Sequence, residues 1–165
     1  DINNVVLKNT SISRTGNLVL DTILNVEKKK AIALGIKYNI KLNLLESINI
    51  SSIDLSRVLY NAIDNAIEAC EKTDEKYILI SIMSDENTLK ITVENTSPYV
   101  EIKDGDKIKT TKSDCRRHGY GIESIKSALK NNDGLISLSY KNGIFACRIM
   151  MKNNINLKNN VVCAK

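Results

Sequence analysis

Apolar and polar residues follow two different periods along this chain, and together these periods predict three helices and five strands. Apolar side chains recur every three or four residues in the helical segments, which span 16–34, 55–70 and 119–131. They alternate with other residues in the strand segments, which span 36–42, 78–82, 89–93, 136–140 and 145–151. Both periods place the apolar side chains on one face of an element. Each element therefore has one side to bury.

Turn and cap residues separate these segments. Gly35 follows the first helix and is a good C-cap signal. The N-cap candidates of the second helix are Ser51, Ser52 and Asp54. Residues 85–87 and 142–143 are turn sequences between strands and predict two antiparallel hairpins. Hairpin strands with three helices to cover one face predict an α+β fold: a two-layer α/β sandwich with a mixed, mostly antiparallel sheet.

The remaining segments have no such period. Residues 1–14 are interpreted as the end of an upstream helix or a linker, 15–152 as one domain, and 153–165 as a loose C-terminal tail. The chain begins with Asp1 rather than Met, so we expect a piece of a longer protein. Residues 96–118 form a long aperiodic loop, which is typical of either a functional lid or a disordered excursion. The basic residues of this loop are Lys103, Lys107, Lys109, Lys112, Arg116 and Arg117.

The second helix carries one polar stripe opposite its apolar face. The stripe residues, at positions i, i+3, i+4 and i+7, are Asn61, Asp64, Asn65 and Glu68. Asparagine is a poor helix-interior residue, so two of them within about one turn need compensation. Amide and carboxylate oxygens suit Mg²⁺, which usually keeps substrate phosphates among its ligands. The stripe is therefore either a magnesium-nucleotide site or a solvated helix face.

Composition narrows the possible partners. The chain has 165 residues, of which 42% are hydrophobic and 26% charged, as in an ordinary globular domain. Its formal charge of +5 is compatible with phosphorylated small molecules or an acidic partner protein. One Phe, six Tyr and no Trp make nucleic acid a weak candidate partner. No apolar run is long enough to span a membrane, so we expect no direct membrane contact.

Cysteine and histidine usage argues against a zinc site. The four cysteines are far apart and form no C-x-x-C motif, as expected for reduced cytosolic thiols. The chain has a single histidine, His118, so a zinc site would have to combine scattered residues.

Two further segments are candidates for phosphate or ligand contact. The sequence His118-Gly119-Tyr120-Gly121 opens the third helix, where glycines permit close backbone approach and free N–H groups favour an anion. A plain glycine-rich turn is the alternative. Lid cations such as Lys112 could close over a triphosphate or could be solvated. Asn95 lies at a strand end, where it is either a ligand contact or a turn-initiating residue.

The sequence of residues 55–69 resembles the N box of the GHKL ATPase superfamily. It reads Leu-Ser-Arg-Val-Leu-Tyr-Asn-Ala-Ile-Asp-Asn-Ala-Ile-Glu-Ala. With the His-Gly-Tyr-Gly-Ile sequence at 118–122, Thr15-Gly16-Asn17 and Asp21, the pattern is most similar to Agr-type sensor histidine kinases, which respond to peptide signals. The resemblance covers roughly residues 15–151 and implies the Bergerat fold.

The resemblance also implies roles for individual residues. Asn65 would coordinate the Mg²⁺ that bridges the phosphates of ATP, with Asp64 and Glu68 beside the nucleotide. Asn61 occupies the position of a catalytic glutamate or polar residue in other branches. Asn95 occupies the position of the aspartate that reads the adenine amino group. The lid and second glycine box correspond to Thr110, Thr111, Lys112, His118, Gly119, Tyr120, Gly121 and Ile122.

Two departures from the family pattern concern adenine recognition. Residues 95–99 lack the usual Asp-x-Gly-x-Gly sequence, so an amide would replace the carboxylate and its stronger charge-assisted hydrogen bond. Ile144 stands where many kinases have a threonine near the base. Both changes lead us to expect weaker nucleotide binding.

The function implied is that of an ATP-dependent protein-histidine kinase fragment, with Asn61 and Lys112 as catalytic candidates. Its single histidine lies in the glycine motif, so the phosphate acceptor would be on upstream dimerisation helices. The implied context is the cytoplasmic part of a membrane-anchored, homodimeric sensor that acts on a response regulator. The alternatives are a GHKL serine kinase, an ATPase clamp, for which Asn61 is a poor substitute for the glutamate base, and a degenerate, non-catalytic interaction module.

Overall fold

The computed structural model of this chain describes residues 5–7, 15–45, 47–103, 107–108 and 118–153. Its three helices are α1 (Leu18–Ala33), α2 (Ser52–Cys70) and α3 (His118–Lys130). Its strands are β1 (Val5–Leu7), β2 (Lys37–Leu44), β3 (Tyr77–Ser84), β4 (Thr88–Thr96), β5 (Ile102–Lys103), β6 (Lys107–Ile108), β7 (Leu135–Lys141) and β8 (Ile144–Lys152).

Six of the strands form one sheet, in the order β1-β2-β3-β4-β8-β7. The β2–β3 pair is parallel and every other pair in this sheet is antiparallel. Parallel neighbours need a crossover connection, and α2 supplies it between β2 and β3. The mixed, mostly antiparallel sheet and the three helices confirm the predicted α+β fold class.

The core lies between the sheet and the helices. Alternate residues of the central strands are buried, including Ile78, Ile80 and Ile82 of β3. The positions between them on β2, β4 and β8 are more polar and include the exposed Lys41, Lys90 and Arg148. Since the side chains of a strand alternate between the two faces, the helices cover one face only.

Helix α2 fits its position because its sequence has one wide apolar face. The Ser51 hydroxyl accepts a hydrogen bond from the Asp54 N–H at 3.1 Å and caps the first turn. The buried side chains of its apolar face include Leu55, Val58, Leu59, Ala62, Ile63, Ala66 and Ile67. This face packs against β3 and β4, and α1 and α3 contact its flanks. The opposite, polar face is therefore directed away from the core.

Two predictions about the chain ends are wrong at particular residues. Val5–Leu7 pair with β2 as an antiparallel edge strand, whereas the sequence predicts a helix end or a linker at 1–14. The open edge of β2 offers unpaired backbone groups, and a Val-Val-Leu sequence favours an extended backbone that can pair with them. Three residues are too few to show a period.

Asn153 is the second case, because it is fully buried rather than part of a loose tail. Its side-chain amide donates hydrogen bonds to the Ser47 and Asp85 carbonyl oxygens, each at 2.9 Å. Its side-chain oxygen accepts one from the Asn49 N–H at 2.8 Å. A buried amide is retained where its hydrogen bonds are satisfied. Residues 154–165 lie outside the described residues.

The lid segment contains more structure than its aperiodic sequence predicts. The short strands β5 and β6 pair with each other as a separate antiparallel ribbon. Residues 104–106 and 109–117 lie outside the described residues, and with them Lys109, Lys112, Arg116 and Arg117. No helix in the described parts of the chain is long and apolar enough to cross a membrane.

Candidate functional site

The polar face of α2 lines a cavity of about 330 Å³ at the start of α3. All four stripe residues lie on its wall. The full lining consists of Lys30, Tyr60, Asn61, Asp64, Asn65, Glu68 and Gly121. Three helices thus contribute to one concave surface, which combines two carboxylates, two carboxamides, one phenol and one ammonium group.

Asn61 joins α2 to α3. Its side-chain amide donates to the Arg57 carbonyl oxygen at 2.6 Å and to the Ser124 hydroxyl at 3.3 Å. The amide that makes asparagine a poor helix residue is here hydrogen-bonded to the preceding turn of the same helix and to the neighbouring helix. Part of the compensation that the sequence analysis assigned to a ligand therefore comes from the protein itself.

Gly121 and Asn65 approach each other closely. A Cβ atom at Gly121 would lie 2.9 Å from both the Oδ1 and the Nδ2 atom of Asn65. No real side chain tolerates such a distance without a shift of its neighbour. The glycine in the first turn of α3 thus makes room for the Asn65 carboxamide.

Lys30 and Tyr60 belong to the cavity but were missed by sequence reasoning. Lys30 extends from α1, and its ammonium group donates a hydrogen bond to the Asp64 carboxylate on α2. Burial alone would lower the pKa of Lys30, but the adjacent Asp64 carboxylate raises it above its usual value. Lys30 is therefore charged at neutral pH. No local period connects α1 to α2, so no signal within either segment could have indicated this contact.

A second carboxylate lies beneath this ion pair. Glu27 Oε2 is 3.9 Å from Lys30 Nζ, and the Glu27 residue is only 3% exposed. Burial raises the pKa of the Glu27 carboxyl. Within the described part of the chain, neither Glu27 Oε2 nor the nearby Tyr38 hydroxyl has a hydrogen-bond partner.

Asn95 does not line this cavity, in contrast to the four stripe residues. It is buried on the helix-facing side of β4, between Ile78 of β3 and Phe145 of β8. Its amide donates to the Thr96 carbonyl oxygen at 2.8 Å. Asn95 is related to the cavity only in that α2, which lines the cavity, packs on β4.

The remaining predicted site residues are described only in part. Thr110, Thr111 and Lys112 lie outside the described residues. His118, Gly119 and Tyr120 form the backbone of the first turn of α3, and nothing is described of their side chains. Ile122 is half-buried and packs against the hydrophobic core.

Larger clefts lie elsewhere on the surface, with volumes of about 480, 490 and 580 Å³. They are lined mainly by loop and turn residues, such as Asp74, Ser47 and Glu86, and include none of the stripe residues. The smaller cavity on α2 is therefore the stronger candidate, because it combines convergent polar groups with a close backbone approach. No group of three His, Cys, Asp or Glu side chains in the described residues could hold a metal ion together.

Comparison with known proteins identifies the family of this chain. The model of the GHKL domain family matches residues 50–152, from the turn before α2 to the end of β8. The chain belongs to the GHKL domain family. Asn61, Asp64, Asn65, Glu68 and Gly121 all lie within the matched part of this GHKL domain.

Solved structures share its fold. The catalytic domain of histidine kinase ThkA, in a nucleotide-free form, matches with a TM-score of 0.64 at 15% identity. This match covers 92% of the present chain and 96% of ThkA's. The Acinetobacter baumannii histidine kinase AdeS matches with a TM-score of 0.59 at 16% identity, over 93% of this chain and 69% of its own.

Full-length ShkA, solved in complex with AMPPNP, matches with a TM-score of 0.64 at 14% identity. The match covers 82% of the GHKL domain chain but 30% of ShkA. At these identities the similarity shows a common fold. A search of curated proteins found no match.

Proposed function

We propose that this GHKL domain binds Mg-ATP and is the catalytic domain of an Agr-type sensor histidine kinase. The observation that supports this most strongly is the convergence of the α2 polar stripe and Gly121 of α3 on one cavity. A solvated helix face would need neither a concave setting nor a glycine packed against its central amide.

Asn65 is the proposed magnesium ligand. Asn65 lies midway along the stripe, and Asn61, Asp64 and Glu68, which also carry side-chain oxygen atoms, line the same cavity. Oxygen donors of this kind match the preference of Mg²⁺. Held by Asn65, Mg²⁺ would supply positive charge that neutralises part of the phosphate charge.

The first turn of α3 is the proposed phosphate-binding element. A helix N-terminus has free backbone N–H groups and a positive dipole end, both of which favour anions. Gly121, in the first turn of α3, contributes to the cavity wall beside Asn65. Phosphates seated there would contact the first turn of α3 beside the Asn65 carboxamide.

The other proposed contacts come from the strand end and the lid. Asn95 is proposed to read adenine, which requires its buried amide to exchange the Thr96 carbonyl for the base. Thr111 and Lys112 are proposed to contact the terminal phosphates from the lid. Phosphoryl transfer depends mainly on positioning and charge neutralisation, so Asn61 and Lys112 are proposed to orient groups without forming a covalent intermediate.

The proposed reaction transfers the γ-phosphoryl group to a histidine on dimerisation helices upstream of this fragment. Support comes from the histidine kinase catalytic domains of the same fold and from AMPPNP in the ShkA complex. An aspartate-bearing response regulator is the proposed downstream partner. The proposed setting is the cytoplasmic side of a membrane-anchored homodimer.

Thermal unfolding with and without Mg-ATP tests the binding step. A ligand that binds only the folded state stabilises it by RT ln(1 + [L]/Kd), about 2.7 kcal/mol at a hundredfold excess over Kd. The melting temperature should therefore rise with Mg-ATP concentration, and Asn65→Ala should abolish the rise. No shift at millimolar Mg-ATP in the unaltered chain would favour a non-catalytic interaction module instead.

Gly121→Ala provides a sharper test of the site geometry. The added methyl group would overlap the far end of the Asn65 side chain, which can rotate away at little cost in stability. The free energy of unfolding should change by less than about 1 kcal/mol, while the Kd for Mg-ATP rises at least about tenfold from the displaced ligand. Isothermal titration and urea denaturation measure the two quantities.

The matched control is Ser127→Ala, at an exposed position of the same helix. It should leave both quantities unchanged. Unaltered Mg-ATP affinity in folded Gly121→Ala would contradict the assignment of Asn65 as the metal ligand.

A further inference from the structure

Lys30 is the one lysine or arginine among the described residues that line the α2 cavity. Two carboxylates, Asp64 and Glu68, line the same wall. With two carboxylates and one ammonium group, the cavity has a net negative charge before any ligand binds. That charge opposes a polyphosphate, so the position of the Lys30 ammonium group matters.

The ammonium group is held by side chains of two helices. It donates to the Asp64 carboxylate on α2, and Glu27 Oε2 on its own helix lies 3.9 Å away. The Lys30 side chain is 44% exposed and that of Asp64 24%, so the pair forms the rim of the cavity rather than its floor. Glu27 lies behind this rim and is buried.

We propose that Lys30 is a positioning residue that cancels the charge of Asp64 and thereby sets the affinity of this site for nucleoside polyphosphates. This inference deepens the proposed function and depends on it. Lys30 acts through Asp64, and Glu27 keeps the ammonium group at the rim. The affinity for the uncharged part of the ligand, adenosine, does not depend on Lys30.

Repulsion between like charges explains why Lys30 would affect phosphate binding. A carboxylate a few ångströms from a phosphate repels it strongly when both are partly shielded from water. An ammonium group hydrogen-bonded to the carboxylate removes most of that repulsion. The effect grows with the number of phosphate charges, so it discriminates ATP from ADP and both from adenosine.

A purely structural role for Lys30 is the competing explanation. The ion pair joins α1 to α2 and could stabilise their packing. Exposed ion pairs usually contribute little to stability, so this role predicts a small loss of stability and equal effects on all ligands. The two explanations therefore differ in ligand selectivity.

The experiment compares Lys30→Met, Lys30→Arg and the double variant Lys30→Met/Asp64→Asn. Lys29→Met is the control, since Lys29 is exposed one position earlier on α1 and does not line the cavity. Isothermal titration measures the Kd of each protein for Mg-ATP, Mg-ADP and adenosine. Urea denaturation measures stability.

Lys30→Met should raise the Kd for Mg-ATP by about tenfold or more and that for Mg-ADP by less, and should leave the Kd for adenosine within about twofold. Lys30→Arg and Lys29→Met should bind like the unaltered chain. The double variant should recover most of the lost affinity, because the carboxylate that repels phosphate is gone.

Unaltered Mg-ATP affinity in Lys30→Met would overturn the inference, as would an equal loss for all three ligands. A double variant as weak as Lys30→Met would also overturn it, because Lys30 would then contact phosphate directly. If the unaltered chain itself binds no Mg-ATP, the failure lies with the proposed function and is seen before any variant is made.

Discussion

The hydroxyl group of Tyr38 is buried near Glu27 without a hydrogen-bond partner among the described residues. Tyr38 is fully buried in β2, and burial raises the pKa of its phenol well above the usual value, with the Glu27 carboxylate adding to the shift. A buried polar group without a partner costs free energy that a hydrogen-bonded one does not. This position therefore carries a stability cost inside the core.

Replacing this tyrosine should stabilise the protein. Tyr38→Phe removes the unpaired hydroxyl and keeps the ring, so the free energy of unfolding should rise by about 1 kcal/mol. Urea denaturation at neutral pH measures it. Tyr140→Phe is the control, because the Tyr140 hydroxyl donates to the Ser97 carbonyl oxygen at 3.4 Å and its removal should not stabilise. A less stable Tyr38→Phe protein would show that the hydroxyl makes a favourable contact.

At the residue scale, the sequence predicted the parts of the site that lie on one helix. Asn61, Asp64, Asn65 and Glu68 share a face because of helical spacing alone. Lys30 and Glu27 could not be predicted, because they reach the site only through the packing of α1 on α2. The position of Asn95 is even harder to predict, because whether a strand-end amide faces a cavity depends on how deeply the helix above it packs.

At the scale of single elements, cap and turn residues explain most of the agreement between the predicted and the observed helices and strands. Helix α1 begins at Leu18 because Asn17 accepts hydrogen bonds from the Val19 and Leu20 N–H groups, at 3.0 and 3.1 Å. The sequence predicted this helix from residue 16 and α2 from residue 55. The strands missed are β1, β5 and β6, which have two or three residues each and are too short to show alternation.

The β7–β8 hairpin depends on its two turn residues. Asn142 and Gly143 both have positive φ angles, 51° and 78°, as a tight two-residue turn between antiparallel strands requires. A Cβ at Gly143 would meet no atom within 4 Å. A side chain there is therefore unfavourable because of the positive φ angle and not because of a steric clash with neighbours.

Gly143→Ala should therefore destabilise the protein by about 1 kcal/mol through backbone strain alone. The melting temperature in a thermal scan and the midpoint of urea unfolding should both fall. Ser137→Ala, at an exposed position of β7, is the control and should change neither by a comparable amount. An unchanged midpoint in Gly143→Ala would mean that the turn relaxes to a negative φ.

At the scale of the whole molecule, Asn153 connects segments that are far apart in sequence. Its side chain bonds to residues 47 and 49, which precede α2, and to residue 85 in the β3–β4 turn. Its backbone N–H also donates to the Asn87 carbonyl oxygen at 2.8 Å. Asn153, the residue that follows β8, thus connects the loop before α2 and the β3–β4 turn through hydrogen bonds.

Asn153→Ala should lower the free energy of unfolding by about 2–4 kcal/mol, because three backbone groups lose their hydrogen bonds to this buried amide. Chemical denaturation measures the loss. The control is Lys152→Ala, which removes an exposed ion pair to Asp133 and should cost less than about 1 kcal/mol. A loss in Asn153→Ala as small as in the control would mean that water replaces the amide without cost.

The fold class could be predicted from the order of elements, but the strand order could not. Hairpins follow from local turns, and they place β3 beside β4 and β7 beside β8. The position of β2 beside β3, and of β8 beside β4, depends on contacts between segments more than 30 residues apart. No periodicity in either strand specifies its distant neighbour.

Helix α2 carries the two amides that line the cavity and also joins the two parallel strands of the sheet. A descendant that lost all affinity for its ligand would still require this helix in order to fold. Its fold would be unchanged, and only the four polar residues on the outer face of the helix could be substituted freely. The fold alone therefore cannot show whether a protein of this kind still binds the proposed ligand, and the residues at positions 61, 64, 65 and 68 are the ones to compare.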